Sequence, residues 1–145
     1  MDPLETLARR AIALTSGVFP PDAVVVAVPL HASKLRARGF NQADAIAHAA
    51  ASATGRRAAR GILERARMTR PQTDARDRAA NVQGAFVAHL PKMLRGKAFL
   101  LVDDVRTSGA TLEACARALV LAGAGRVDGF ALAWGGGLPK EGEKS

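Results

Sequence analysis

Apolar positions change period several times along this chain, and each change marks an element. Leu4, Leu7, Ala8, Ile12 and Leu14 recur at roughly helical spacing up to Gly17. Asp2-Pro3 in front of them reads as a helix start, with Asp as N-cap and Pro in the first turn. Phe19-Pro20-Pro21-Asp22 breaks the pattern. Residues 23–28 are a continuous apolar run rich in β-branched side chains, the signature of a strand buried on both faces, as in a parallel sheet. After Pro29, residues 31–39 read as a polar, basic loop. Asn41 or Gln42 then opens an alanine-rich helix ending near Thr54-Gly55.

Residues 55–81 are the least regular stretch, with eight arginines against three acids. Ile62-Leu63 is a candidate short strand inside it, and residues 85–88 are another. Residues 97–103 are a strong strand candidate. Residues 111–122 read as a helix with Leu112, Cys115, Ala116, Leu119 and Val120 on one face, closed by Gly123. Residues 126–134 form a last strand, and residues 135–145 read as a disordered tail. The alternation predicts an α/β fold, an open and mostly parallel twisted sheet with flanking helices, in a single domain over residues 1–134.

Composition narrows the partners. The chain has 145 residues, 48% of them apolar, enough for one ordinary core. No apolar run approaches the roughly 18–20 residues a membrane helix needs. The acidic start, Met1-Asp2-Pro3-Leu4-Glu5, lacks the pattern of a secretory signal, so the expectation is a soluble, cytoplasmic protein with no membrane partner. Cys115 has no partner cysteine, and His31, His48 and His89 show no zinc-ligand spacing, so no zinc is expected. Nothing in the pattern specifies an oligomeric state. A net charge of +8 favours anionic partners, either nucleic acid or a small phosphorylated ligand. Aromatics are 4% and Tyr is absent, which argues against a base-stacking surface and leaves at most weak, non-specific nucleic-acid binding.

The strongest chemistry lies between Phe99 and Thr111. An apolar run, Phe99-Leu100-Leu101-Val102, leads into Asp103-Asp104 where the strand leaves the sheet. Thr107, Ser108, Gly109, Ala110 and Thr111 then run into a helix. Ligands of open parallel sheets bind at the carboxyl ends of strands. Hydroxyls, small residues and a helix start suit a phosphate. Two carboxylates beside that phosphate make sense if they hold ribose hydroxyls or a hydrated magnesium ion. A P-loop is excluded because no Gly-Lys-Ser/Thr is present, and Ser108 lacks a nucleophile elbow.

These thirteen residues resemble the phosphoribosyl pyrophosphate (PRPP) motif of type I phosphoribosyltransferases. Val28-Pro29-Leu30-His31 with Lys34-Leu35-Arg36-x-Arg38-Gly39-Phe40-Asn41-Gln42 resembles the signature of ComF proteins, which are competence-related and amidophosphoribosyltransferase-like. A third block agrees: Leu63-x-Arg65-x-Arg67-x-Thr69, Pro71-Gln72, Arg78 and Asn81-Val82-x-Gly84-Ala85-Phe86. The resemblance covers about residues 23–134.

The resemblance implies that Asp103 and Asp104 hold the ribose and, indirectly, Mg²⁺. It implies that Thr107–Thr111 hold the 5′-phosphate and that Lys34, Arg36 and Arg38 grip pyrophosphate from the loop after the first strand. A lid falls at residues 65–81, with Arg67, Arg70 and Arg78 as its candidate phosphate contacts. Phe40 is expected to anchor its loop in the core. His31 either bonds phosphate or turns the loop. Cys115 is expected only to pack, His48 and His89 to be structural or exposed, and Glu113 to complement the helix dipole. The Cys-rich zinc module with which ComF proteins begin is missing, and no residue stands out as a base for an acceptor. Three functions follow: Mg-dependent phosphoribosyl transfer to an unidentified acceptor, a PRPP- or nucleotide-sensing or DNA-uptake accessory without transfer, and a basic nucleic-acid-binding module.

Overall fold

In the computed structural model, which describes residues 3–30, 32–66, 86–106 and 109–134, three parallel strands form the centre. They are β1 (Val24–Ala27), β4 (Ala98–Arg106) and β5 (Arg126–Trp134), in the order β1-β4-β5. Both faces are covered, and the period of two along each strand sorts the core. Val25, Leu100 and Val102 pack under α1 (Pro3–Thr15) and α3 (Gln42–Thr54), against Ala8, Ile12, Ile46 and Ala50. Val24, Val26, Phe99 and Leu101 face the other way, onto Ala114, Cys115 and Leu119 of the helix that follows β4, here α4 (Ala110–Leu121). The same face carries an antiparallel hairpin, β2 (Leu63–Arg65) with β3 (Phe86–Ala88), which supplies Leu63 and Phe86. Leu100 is fully buried, and a Leu→Ala change there costs about 2–5 kcal/mol by cavity formation.

Local chemistry sets the element ends. Asn41 caps α3 by accepting from Ala43 N–H at 3.1 Å, and Gly55 closes it in the left-handed region at φ 70°. Alanines at positions 43, 47, 49, 50 and 51 let α3 lie close on the sheet. At the amino ends of β4 and β5, Gly125 is pressed onto the Gly96 carbonyl so tightly that no Cβ fits. Gly96 N–H donates to Gly123 O and Gly125 N–H to Lys97 O, which ties the two strand starts together.

The α/β expectation holds, with four local differences. The basic stretch after β1 is a helix, α2 (Ala32–Arg38), not a loop: its residues are nearly all good helix formers, and Gly39 at φ 80° stops it. β4 runs three residues past Asp103, because β5 continues to pair with it up to Arg106↔Trp134. Val120 is 56% exposed, since α4 buries a narrower stripe than its apolar content suggests. Phe40 is 57% exposed and does not anchor in the core; the α2–α3 junction is fixed by Asn41, whose side chain donates to Val28 O at 3.1 Å. The tail at 135–145 lies outside the described residues.

Candidate phosphate-ligand site at the carboxyl end of β4

β1 pairs with β4 only up to Ala27↔Val102, and Val28 N–H adds one bond to Val102 O at 2.9 Å. Pro29 then carries the chain away. Asp103 and Asp104 are the next two residues of β4, so they stand at the first step where the β1 side of that strand is uncovered. On the other side Asp103 remains in register with Ala131. The pair therefore belongs to a rigid strand, and what opens above it is the gap left by β1.

Asp103 Oδ1 accepts from the Asp104 N–H at 2.9 Å. The carboxyl of Asp103 is pushed up from its ordinary 3.8 to about 6. Burial is the main cause and the Asp104 carboxyl beside it adds to the rise, while the Asp104 N–H works in the opposite direction. A carboxyl that titrates close to neutrality in a strand-end cleft is a mark of functional sites. Among the described residues no three His, Cys, Asp or Glu side chains come together as a metal cage. Two adjacent carboxylates nonetheless fit a magnesium ion that keeps its waters and arrives on a phosphate.

The other wall is the start of α4. Gly109 sits at φ 78° ahead of it, with no side-chain cap. First-turn N–H groups have no carbonyl partner within their own helix, and a left-handed glycine lets an anion approach them. Ala110 and Thr111 form that first turn and are half-buried. Glu113 is paired with Arg117 at 2.9 Å. Thr107 and Ser108 lie outside the described residues, as do His31, Arg67, Arg70 and Arg78.

The cations after β1 are arranged differently from a loop that folds round pyrophosphate. On α2, positions 34 and 38 are one turn apart and share a face, whereas position 36 is on the opposite side. Arg36 and Arg38 are both exposed. His48 and His89 are exposed, and His89 lies 3.8 Å from Glu64. Cys115 is fully buried, and its thiol is pushed up to about 12, first by burial and then by the Asp103 charge, with Arg65 acting in the opposite direction.

Two arginines have roles that the sequence pattern hid. Arg65 lies over the Phe86 ring at 5.3 Å, and its buried Nε finds no hydrogen-bond partner. Its charge and that of Asp103 act on Cys115 in opposite directions. The sequence marked it only as the first residue of the expected lid and a member of the third resembling block. Arg56 is 9% exposed and donates to Pro20 O at 2.9 Å and Phe19 O at 2.8 Å, which makes it a structural clamp.

Fold and site together define an α/β domain with an acid pair at a strand end beside a helix start. No protein-family model matches the chain. It is 34% identical over 128 residues to the DNA utilization protein YhgH of Salmonella typhimurium, covering 87% of this chain and 53% of that protein. To the protein of the same name from Escherichia coli K12 it is 34% identical over 131 residues, covering 89% and 55%. The chain thus spans about half the length of the curated relatives it matches. Among solved structures, a hypothetical protein from Neisseria gonorrhoeae with bound ppGpp shares the fold at a TM-score of 0.52 and 15% identity, covering 95% of this chain and 73% of that one. Among the described residues no helix is long and apolar enough to cross a membrane.

Proposed function

We propose that this chain is a phosphoribosyltransferase-like domain of the ComF type that binds PRPP, or a related phosphorylated small molecule, in the service of DNA utilization. The observation that carries the reading is the Asp103-Asp104 pair, standing in β4 one step past the departure of β1, with the start of α4 a few residues on. The carboxylates take the ribose hydroxyls, and the α4 start takes the phosphate. Magnesium carried on the pyrophosphate would supply charge neutralisation there, met by Asp103 and Asp104 through its waters. Two supports come from similar proteins. The relatives are named for DNA utilization, which favours an accessory role over transfer. The structural neighbour holds ppGpp, a guanine nucleotide whose ribose carries two diphosphates, and PRPP likewise joins a pyrophosphate to a ribose.

Binding rather than turnover is the reading that the relatives' naming favours. Calorimetry with PRPP and Mg²⁺, ppGpp, ribose 5-phosphate and AMP tests it. The expected result is saturable binding of a pyrophosphorylated ribose that drops strongly in Asp103→Asn/Asp104→Asn, while inorganic phosphate binding persists. Equal loss of both ligands, or no binding of any, overturns the assignment. Release of pyrophosphate from PRPP with any base in a panel would move the reading to phosphoribosyl transfer.

A further inference from the structure

Among the described residues β5 is the last strand of the sheet, and the phase of the ladder fixes which of its peptide groups are left over. Val28 N–H donates to Val102 O at 2.9 Å, so Val102 turns its carbonyl toward β1. Successive strand residues alternate sides, so Leu101 and Asp103 turn theirs toward β5. In a parallel pair only one of two residues in register spends its N–H and C=O on the shared ladder. Leu101 is in register with Gly129, and Asp103 with Ala131. Val127, Gly129, Ala131 and Ala133 therefore aim their N–H and C=O away from β4. None of the four takes another backbone partner among the described residues. Gly129 and Ala133 are exposed, whereas residues 99–102 of β4 are all buried.

Sheet edges are ordinarily blunted by charge, by proline, by a bulge or by being short. β5 runs nine residues, and from Gly129 to Trp134 it holds neither charge nor proline. Asp128 is closed by Arg126 at 2.9 Å, so the edge is neutral on a chain of net charge +8. An apolar stripe flanks it. Leu112, Ala116 and Val120 follow one another at four-residue steps along α4. Leu112 and Ala116 line a trough with Val127 and Gly129, and Leu112 Cδ1 lies 3.7 Å from the place a Gly129 Cβ would take. Val120 continues the stripe into solvent at 56% exposed; β3 also packs on α4 but leaves this residue uncovered.

We propose that this edge is the seam of a twofold dimer, in which β5 pairs antiparallel with β5 of a second copy. A twofold axis makes one surface serve both subunits, so the register must complement itself. One register uses all four outward residues: Val127 opposite Ala133 and Gly129 opposite Ala131 of the second copy, each pair exchanging two hydrogen bonds. Every slip from it leaves outward groups unpaired, and one slip sets Asp128 against its own equivalent. In the full register Phe130, half-buried at the margin of the α1–α3 core, meets its own equivalent as a cross-strand aromatic pair. The helices agree with the strands. α4 packs on both β4 and β5. Strands stand about 4.8 Å apart, so a helix over the two outermost strands lies about 10 Å from its copy across the seam, the spacing of packed helices. The Leu112-Ala116-Val120 stripe then meets its equivalent, with the small Ala116 at the middle. A neutral, self-complementary edge fits a second copy, whereas an acidic partner is drawn to the basic remainder of the surface.

Analytical ultracentrifugation of the full chain from micromolar to millimolar concentration, together with amide exchange followed by NMR, tests the proposal. A reversible monomer–dimer equilibrium is expected. It should tighten with added salt, because two chains of net charge +8 repel each other. Exchange of the Val127, Gly129, Ala131 and Ala133 amides should slow as concentration rises. Ala131→Pro removes an outward N–H and should weaken the dimer by about tenfold or more. Val120→Lys, at an exposed helix position, should do the same and decides the matter if the proline variant folds poorly. A monomer at every concentration overturns the proposal. So does a dimer that loosens with salt, that Val120→Lys leaves unchanged, or whose Gly129 and Ala131 amides stay unprotected. Protection of those amides in the monomer would mean that the chain's own residues cover the edge, and overturns it equally.

Discussion

Replacing Asp103 by Asn should make the free protein more stable at neutral pH, and the gain should vanish in acid. In the folded chain this carboxyl titrates at about 6 against an ordinary 3.8, chiefly because β4 and α4 half-bury it. A raised folded pKa means that the folded state holds the proton more tightly than the unfolded chain. The stabilisation tied to that proton is complete below about pH 4 and is lost as pH rises through about 6. The shift of roughly two pH units corresponds to about 3 kcal/mol at face value. Asp103 is far from fully enclosed, and solvent screening reduces this to about 1–2 kcal/mol. Asn keeps an oxygen to accept from the Asp104 N–H but has no proton to lose. Urea unfolding of both proteins across about pH 4 to 8 isolates the effect, because every other carboxylate is common to the two. The difference should be near zero at the acid end and grow to about 1–2 kcal/mol in favour of Asp103→Asn above pH 6. A difference that stays flat, or that favours the native carboxylate at neutral pH, would show that Asp103 is stabilised by a partner the burial argument misses.

The remaining expectations are simpler. Cys115, buried and with its thiol held near 12, should resist thiol reagents at pH 8 in the folded protein and react at once in urea; fast labelling of folded protein would contradict its packing against β4. Arg56→Met should destabilise by about 2–4 kcal/mol through loss of two charged hydrogen bonds to the 19–20 turn, read from the urea midpoint. Thr111→Val, in the first turn of α4, should weaken PRPP and inorganic phosphate alike by about 1–3 kcal/mol in calorimetry; loss of PRPP alone would move that hydroxyl from the phosphate to the ribose. Duplex DNA should bind weakly and without sequence preference, with affinity falling steeply as salt is added, given the net charge of +8; filter binding that survives high salt would reverse this.

Strand positions were legible because both-face burial leaves an unbroken apolar run, as at residues 23–28 and 98–102. The α3 caps were legible because Asn41 and Gly55 act through their own local chemistry. The acid pair could be placed for the same reason: its position follows from the end of an apolar run. What could not be read was whatever depends on a neighbour distant in sequence. Where β4 stops is set by how far β5 accompanies it, not by its own residues. Arg56 looks like any cation in a basic stretch until the carbonyls of Phe19 and Pro20 are found against it. The basic stretch at residues 31–39 misled by its charge, since lysine and arginine are good helix formers as well as loop residues.

The β2–β3 pair sets Arg65 and Phe86 opposite each other and packs Phe86 against α4. The chain between them thus leaves and returns at a single fixed doorway. Changing the number of residues that pass through such a doorway is cheap, about 0.6 kcal/mol for each doubling of length. Variation can therefore act on what is inserted there without disturbing the sheet or the acid pair. For anyone building on this scaffold, the doorway is the point at which to graft a foreign segment and bring it close to the cleft.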